Sequence, residues 1–118
     1  MVYREGITTA ITRYYVFSGV FREGEDTLTF DEADTNLVEV GVKLDQEFAG
    51  TSRKFVLELE SFDEENHFAE IIAGFTVWPY EDDDSEIVLI VTSIHNELER
   101  VGFLEDDHYA MGDGPDIR

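Results

Sequence analysis

The chain has 118 residues, enough for one domain and too few for two of ordinary size, and it contains no cysteine. It carries 28 Asp and Glu against 8 Lys and Arg, for a formal net charge of −20. This balance argues against direct binding to nucleic acid or to an anionic membrane, and the lack of cysteine excludes disulfides and thiol chemistry. Because 42% of the residues are hydrophobic, a folded core can still form.

Two strands are predicted near the N-terminus. The run from Ile11 to Phe21 is rich in β-branched and aromatic residues and has apolar side chains in both alternating sets. We therefore predict a strand that is covered on both faces. A turn at residues 22–26 would follow, and Thr27 to Phe30 would form a short return strand.

The middle of the chain shows the alternation of half-solvated strands. From Leu37 to Leu44, the valines at 38, 40 and 42 face one way while Glu39 and Lys43 face the other. The stretch from Lys54 to Phe62 alternates in the same manner. Two such strands predict an antiparallel sheet with one solvated face.

The next segment leaves helix and strand open. Phenylalanine and isoleucine recur at helical spacing at residues 68, 71, 72 and 75, behind acidic residues that suit a first helical turn. As a strand, the same segment would pair with Lys54 to Phe62. Periodicity does not decide residues 64–74, although the β-rich context favours a strand from Phe75 onward.

The C-terminal third predicts one more strand, a helix and a tail. The uninterrupted β-branched run from Ile87 to Thr92 indicates the central strand, and Ser93 can cap a helix that ends at Val101, before Gly102. Residues 105–118 are acidic, contain glycines and show no periodicity, so we predict an extended tail there.

These elements predict an α+β fold that is mainly antiparallel β. Five or six strands would form a sandwich-like or barrel-like domain over residues 1–104, with one C-terminal helix, and residues 105–118 would form the acidic tail. The 15 aromatic residues are many for so small a chain, and we expect some of them to lie in a subunit interface.

No catalytic constellation is evident. The serines lie in no Gly-x-Ser-x-Gly motif, and there is no phosphate-binding glycine loop. His95 and Glu99 have the i, i+4 spacing of a metal-binding pair, but a third ligand is missing. Asp82, Asp84 and Glu86 alternate without the spacing of a calcium-binding loop. We predict that the protein is not an enzyme, with no catalytic residue, no cofactor and no metal site.

The excess of carboxylates has two explanations. Only two of the eight basic residues are lysines, Lys43 and Lys54, a pattern that suits proteins working in multimolar salt. There the Debye length is ~3 Å or less and self-repulsion is screened. A protein that imitates DNA would instead place its acids along one face. Because the acids fall in many apparent loops, the sequence favours adaptation to salt.

We therefore predict a non-enzymatic structural or assembly protein of a high-salt system, such as a head, neck or tail component of the virion of a halophile's virus. It would act in the virion or in the cytoplasm of a halophilic host. Its partners would be proteins, in a homo-oligomer or a larger assembly, without direct contact to nucleic acid or membrane. The alternative is an acidic DNA mimic that inhibits a nucleic-acid-binding enzyme, of the anti-restriction or anti-CRISPR type.

Each of the two predicted functions would use a different surface of the protein. For the assembly protein, we expect the contacts to come from the near-neutral, aromatic N-terminal segment, from the residues around Trp78, and from the tail. The predicted interface residues are Tyr3, Tyr14, Tyr15, Phe17, Trp78, Tyr80, His108 and Tyr109. The acidic patch that a DNA mimic would use is Glu81, Asp82, Asp83, Asp84 and Glu86.

Overall fold

The structure, a computed structural model, describes residues 10–23, 26–63, 65–66 and 68–115. Tyr3, one of the predicted interface residues, lies outside this part of the chain. In chain order the elements are β1 (Ile11–Glu23), β2 (Asp26–Thr27), α1 (Phe30–Glu47), β3 (Phe55–Asp63), β4 (Phe68–Val77), α2 (Asp84–Arg100) and β5 (Phe103–Pro115).

The four long strands form one open antiparallel sheet in the order β5-β1-β4-β3. The two-residue β2 pairs with the end of β1. The path β1-α1-β3 and the path β4-α2-β5 are each a split βαβ unit, so each unit places one of its strands between the two strands of the other. This is the ferredoxin-like arrangement.

Both helices pack on the same face of the sheet. The buried core there joins Phe17 and Phe21 of β1 to alternate residues of β4, from Ala69 to Val77, and to the apolar stripes of the helices. Alternation along a strand sends every second side chain to the opposite face, which we call the open face. Within the described residues, neither helix covers the open face.

Helix α1 occupies a segment for which a strand is predicted. Thr29 caps it through a reciprocal capping box with Glu32, and Ala33, Leu37, Val40 and Leu44 form its buried stripe. The predicted strand from residue 37 to residue 44 is therefore wrong. The alternating valines had suggested period two, but those at 38 and 42 are exposed on the outer side of the helix.

Helix α2 likewise replaces the predicted central strand at residues 87–92. Asp83 caps it by accepting a hydrogen bond from the Glu86 amide, and its isoleucines at 87, 90 and 94 face the core together with Leu98. The helix thus begins nine residues before Ser93, where the sequence analysis placed its start. The centre of the sheet is formed by β1 and β4 instead.

The strand count and the tail also differ from the prediction. In the part of the chain that the structure describes, one open sheet of four long strands and two helices replace a sandwich or barrel of five or six strands with a single helix. The segment that was open between helix and strand is β4. The predicted tail is edge strand β5 as far as Pro115, because it pairs with β1 along its length. Its two register shifts hide the alternation that would have indicated a strand.

A buried ion pair ties three elements together at one end of the sheet. The Arg53 guanidinium, just before β3, donates to both carboxylate oxygens of Asp82, at 2.7 and 3.0 Å. The two side chains are only 7% and 8% exposed. Arg53 also donates to the Thr76 carbonyl of β4, and its guanidinium lies 5.3 Å from the centroid of the Trp78 ring. The Trp78 amide in turn donates to Asp82, in the loop that leads to α2.

We predict that Arg53→Met lowers the free energy of unfolding by about 3–5 kcal/mol, because it leaves the Asp82 carboxylate buried without its counter-ion. Urea unfolding in KCl measures the change. The control is Arg13→Met, which removes a more exposed pair with Asp113 and should change stability by about 1 kcal/mol or less. Equal losses in the two variants would contradict a special role for the Arg53 pair.

Candidate functional site

A cavity of about 370 Å³ lies between α2 and the edge of the sheet. One wall is apolar and includes Tyr15 of β1 with Val88 and Val91 of α2. The other wall is polar and is formed mainly by two histidines and a glutamate. Imidazole and carboxylate side chains meet in this cavity, and we call it the histidine cavity.

The carboxylate of Glu105 bridges the two imidazole rings. Its Oε1 lies 2.8 Å from Nδ1 of His95, on α2, and its Oε2 lies 2.8 Å from Nδ1 of His108, on the same strand as the glutamate. The Glu105 side chain is 11% exposed, whereas the histidines are about one-third exposed or slightly more. The glutamate is therefore the buried centre of the cluster, and each ring keeps one edge accessible.

The bridge depends on a β-bulge. Glu105 pairs with Gly19 and Asp107 pairs with Ser18, so Asp106 is the extra residue on β5. The bulge brings Glu105 and His108 to the helix side of the sheet, although their spacing of three would place them on opposite faces of a regular strand. A Cβ atom on Gly19 would collide with the Leu104 carbonyl oxygen, so glycine is required for this close approach of the strands.

The charge state of Glu105 fixes the hydrogens on both rings. Burial opposes ionisation of this carboxyl, but the hydrogen bonds and charges of His108 and His95 outweigh burial and hold the pKa of Glu105 below its usual range. An ionised carboxylate only accepts hydrogen bonds, so both Nδ1 atoms act as donors. The atom that each ring leaves free is Nε2, which accepts a hydrogen bond when the ring is neutral.

The cluster does not include Glu99, whose i, i+4 spacing from His95 the sequence analysis considered without predicting a metal site. Glu99 is exposed and is not among the residues that line the cavity. In the described part of the chain, no group of three or more His, Asp or Glu side chains is arranged to hold a metal ion.

The open face is a second candidate surface, and its residues form rows across β4, β1 and β5. One row is apolar and includes Phe68, Val20 and Leu104, and a second contains Ile72, Val16 and Tyr109. Several of these side chains are half-buried or exposed, Leu104 and Tyr109 to about one half. Large apolar groups in register on a sheet face that no described element covers mark a contact surface.

Carboxylates separate and border the apolar rows. Glu70 and Asp107 lie in the row between them, and Glu58 extends the second row onto β3. In the next row Tyr14 lies between two glycines, and Gly74 leaves space for its ring, because a Cβ there would come within 2.7 Å of the ring. The open face is thus apolar along its rows, acidic between them and flat beside Tyr14.

Exposed acids occur on every element around the sheet and not along one ridge. On α1 they are Asp31, Glu32, Asp34, Glu39, Asp45 and Glu47; on β3 they are Glu58, Glu60 and Asp63; before and within α2 they are Glu81, Asp83, Asp84 and Glu99; and on β5 they are Asp106, Asp107 and Asp113. A distribution over both helices and both edge strands suits a protein that is hydrated on all sides.

The predicted interface residues do not form one surface. Tyr14 and Tyr109 lie on the open face, whereas Phe17 is fully buried in the core. Tyr15 and His108 line the histidine cavity. Elsewhere, Trp78 is half-buried beside Arg53, and Tyr80 is exposed in the loop before α2.

The predicted acidic patch is divided among several roles. Asp82 is buried in its ion pair with Arg53, and the Asp83 side chain caps α2. Glu86 approaches Arg53 to 3.6 Å. Glu81 and Asp84 are exposed.

Sequence reasoning did not identify Glu105 as a functional residue. Its spacing of three from His108 does not suggest contact in a strand, and His95 lies on a different element. The run Glu105 to Asp107, followed by a histidine, indicates only a charged segment. Glu105 and His108 share a side only because of the bulge at Asp106. The bulge is set by the pairing of β5 with β1, and a single sequence does not reveal that pairing.

No protein-family model and no curated protein matches the chain. Among solved structures, it is similar in fold to part of an amidase of the hydantoinase/carbamoylase family from Burkholderia phymatum (TM-score 0.46, 10% identity, 91% of this chain and 30% of that one). An amidase of the same family from Burkholderia multivorans has a TM-score of 0.49 and 6% identity, over 91% of this chain and 28% of that one. A hydantoinase/carbamoylase family amidase from Burkholderia ambifaria has a TM-score of 0.48 and 11% identity, over 93% of this chain and 30% of that one.

This chain therefore spans about 30% of the length of the amidases it resembles. Separately, among the described residues no helix combines the length and the hydropathy that crossing a membrane requires.

We predict that Glu105→Gln lowers the free energy of unfolding by about 2 kcal/mol near neutral pH, because it removes the charge that two hydrogen bonds share. The folded-state pKa of Glu105 lies below the ordinary 4.5, so the folded protein binds fewer protons than the unfolded chain between the two values. The stabilisation is complete above the ordinary pKa and is lost as the pH falls through the folded one.

The measurement is denaturant unfolding of both proteins in steps from neutral pH to strong acid. The difference in stability between wild type and variant should narrow once the pH drops below 4.5. A difference that stays constant throughout that range would show that the Glu105 charge does not contribute.

Proposed function

We propose that the chain is a non-catalytic assembly domain of a high-salt system and that it associates with a second copy of itself through the open face. The observation that carries the proposal is the pair of apolar rows, one including Val20 and Leu104 and the other Ile72 and Tyr109, on a face that no described element covers. Membership in a virion stays a prediction from the sequence.

The area of the open face is adequate for a weak homodimer. Four strands at ~4.8 Å spacing and about ten residues at ~3.3 Å each give roughly 600 Å² of projected area for the whole face, of which the part formed by Thr12, Val16 and Thr76 is already buried. A standard protein interface buries about 800 Å² on each partner. Side-chain relief adds to the projected value, so a sheet-on-sheet contact falls at the low end of stable interfaces.

Charge determines when such a contact forms. Each copy would bring Glu58, Glu70 and Asp107 into or beside the interface, and each chain carries a net charge of −20. In dilute buffer these charges repel. In ~1 M salt the Debye length is ~3 Å, so the repulsion is screened while the apolar contact remains. The proposed dimer is therefore favoured by salt.

The scattered acids support adaptation to salt over DNA mimicry. A mimic needs a continuous acidic ridge, but Asp82 is buried against Arg53 and the Asp83 side chain caps a helix. The remaining exposed acids lie on all sides of the domain. A basic DNA-binding partner that this chain captures in dilute buffer, with capture lost in high salt, would favour the mimic instead.

The first test is how the thermal stability of the protein depends on the concentration of KCl. We expect the melting temperature to rise steeply from dilute buffer to multimolar KCl, because screening removes the self-repulsion of the carboxylates. Calorimetry at matched protein concentration measures it, with the same series in sucrose as a control for general exclusion effects. A melting temperature that does not change with KCl would contradict adaptation to salt.

The second test is self-association in multimolar KCl by sedimentation equilibrium. We expect Leu104→Asp to weaken the dimer by at least about tenfold, because it places a further carboxylate in an apolar row that Glu70 and Asp107 already border. The matched control is Val38→Asp, the same kind of change at an exposed site on the outer side of α1. A wild-type protein that stays monomeric at all salt concentrations, or equal effects of both variants, would refute contact through the open face.

A further inference from the structure

We infer that the histidine cavity is a binding site for a small organic cation, an ammonium or amidinium group that carries an apolar chain. Three features of the cavity lead to this class of ligand: a buried negative charge, two hydrogen-bond acceptors and an apolar wall.

The negative charge is that of Glu105. Among the described residues that line the cavity, it is the only carboxylate, and no Lys or Arg is present there. Its two oxygens already accept hydrogen bonds from the imidazoles of His95 and His108. While both rings are neutral, the cluster has a net charge of −1 with no cation to balance it, in a partly desolvated setting where charge interactions are stronger than in water.

The acceptors are the two Nε2 atoms. Because each Nδ1 donates to an ionised carboxylate, each neutral ring can offer only the lone pair on Nε2 to a ligand. An ammonium or amidinium group has several N–H donors to offer to these acceptors. A carboxylate ligand would meet acceptors and a negative charge, so the cavity discriminates against organic anions.

The apolar wall accommodates the rest of the ligand. Val88 and Val91 of α2 and Tyr15 of β1 line this side of the cavity. The Tyr15 ring stacks on the buried ring of Phe75, with 5.9 Å between the ring centroids. At about 370 Å³, the cavity is within the size range of small-molecule sites. Burial of an alkyl chain against this wall would add affinity that a simple inorganic cation lacks.

Binding should depend on pH through groups from three elements. The titratable side chains that line the cavity are Tyr15 on β1, His95 on α2, and Glu105 and His108 on β5. Protonation of either ring converts its Nε2 from acceptor to donor and adds positive charge. An organic cation should therefore compete with protons for the cavity.

The experiment compares three ligands that share one chain and differ in the head group: hexylammonium, hexanol and hexanoate. Each is titrated into the full chain in ~1 M KCl, where diffuse attraction to the acidic surface is screened. Isothermal calorimetry gives the affinity, and NMR follows the imidazole resonances. We expect hexylammonium to bind at least about tenfold more tightly than hexanol or hexanoate, the factor for one charge-assisted hydrogen bond.

Two variants locate the binding. Glu105→Gln removes the central charge and should weaken hexylammonium about tenfold. Glu47→Gln removes the same charge by the same substitution at an exposed position at the C-terminal end of α1, outside both proposed surfaces, and should leave the affinity unchanged. If Glu105→Gln does not fold, His108→Phe, which removes one acceptor and keeps an aromatic ring against Phe17, gives the same comparison.

The outcomes are distinct. Preference for hexylammonium, loss with Glu105→Gln only, and shifts of the His95 and His108 resonances support the site. Equal affinity for the three ligands, or equal loss in both variants, would overturn it, because binding would then follow the apolar chain alone or the overall charge. Neither result bears on dimerisation through the open face, which sedimentation tests separately.

Discussion

The pairing of β1 with both β4 and β5 is the interaction on which the rest of the structure depends. It places Phe17 at the centre of the core, and it brings the edge strand alongside a glycine at position 19, where the Leu104 carbonyl would otherwise collide with a side chain. Because β5 bulges against β1, Glu105 and His108 reach the helix side together. The open face arises from the same pairing, since the alternate residues of β1 and β5 point the other way.

A chain with 28 acids and 8 basic residues must satisfy most carboxylates with water, and the structure places its few cations accordingly. Arg53 is buried with Asp82 and secures the loop between the sheet and α2. Arg13 and Arg100 form pairs that remain partly exposed.

Sequence reasoning could place β1 and β3, whose patterns are long, but it misassigned both helices. Over residues 37–44 the valines recur at every second position, as in a strand, whereas the buried residues of α1 recur every three to four positions, as in a helix. Only the capping box formed by Thr29 and Glu32 indicates that the segment is helical. In α2, β-branched residues that favour strands lie on a helix because Asp83 caps it and its isoleucines pack on the sheet. The histidine cavity could not be predicted, because His95 and Glu105 meet only through tertiary packing.

Strand β5 joins the two proposed surfaces, with Leu104 and Tyr109 on one side and Glu105 and His108 on the other. A rigid strand would keep the surfaces independent, because side chains on opposite faces share no contact. Each bulge leaves one residue of β5 unpaired and increases the local twist, and the bulge at Asp106 turns Glu105 and His108 to the same side of the sheet.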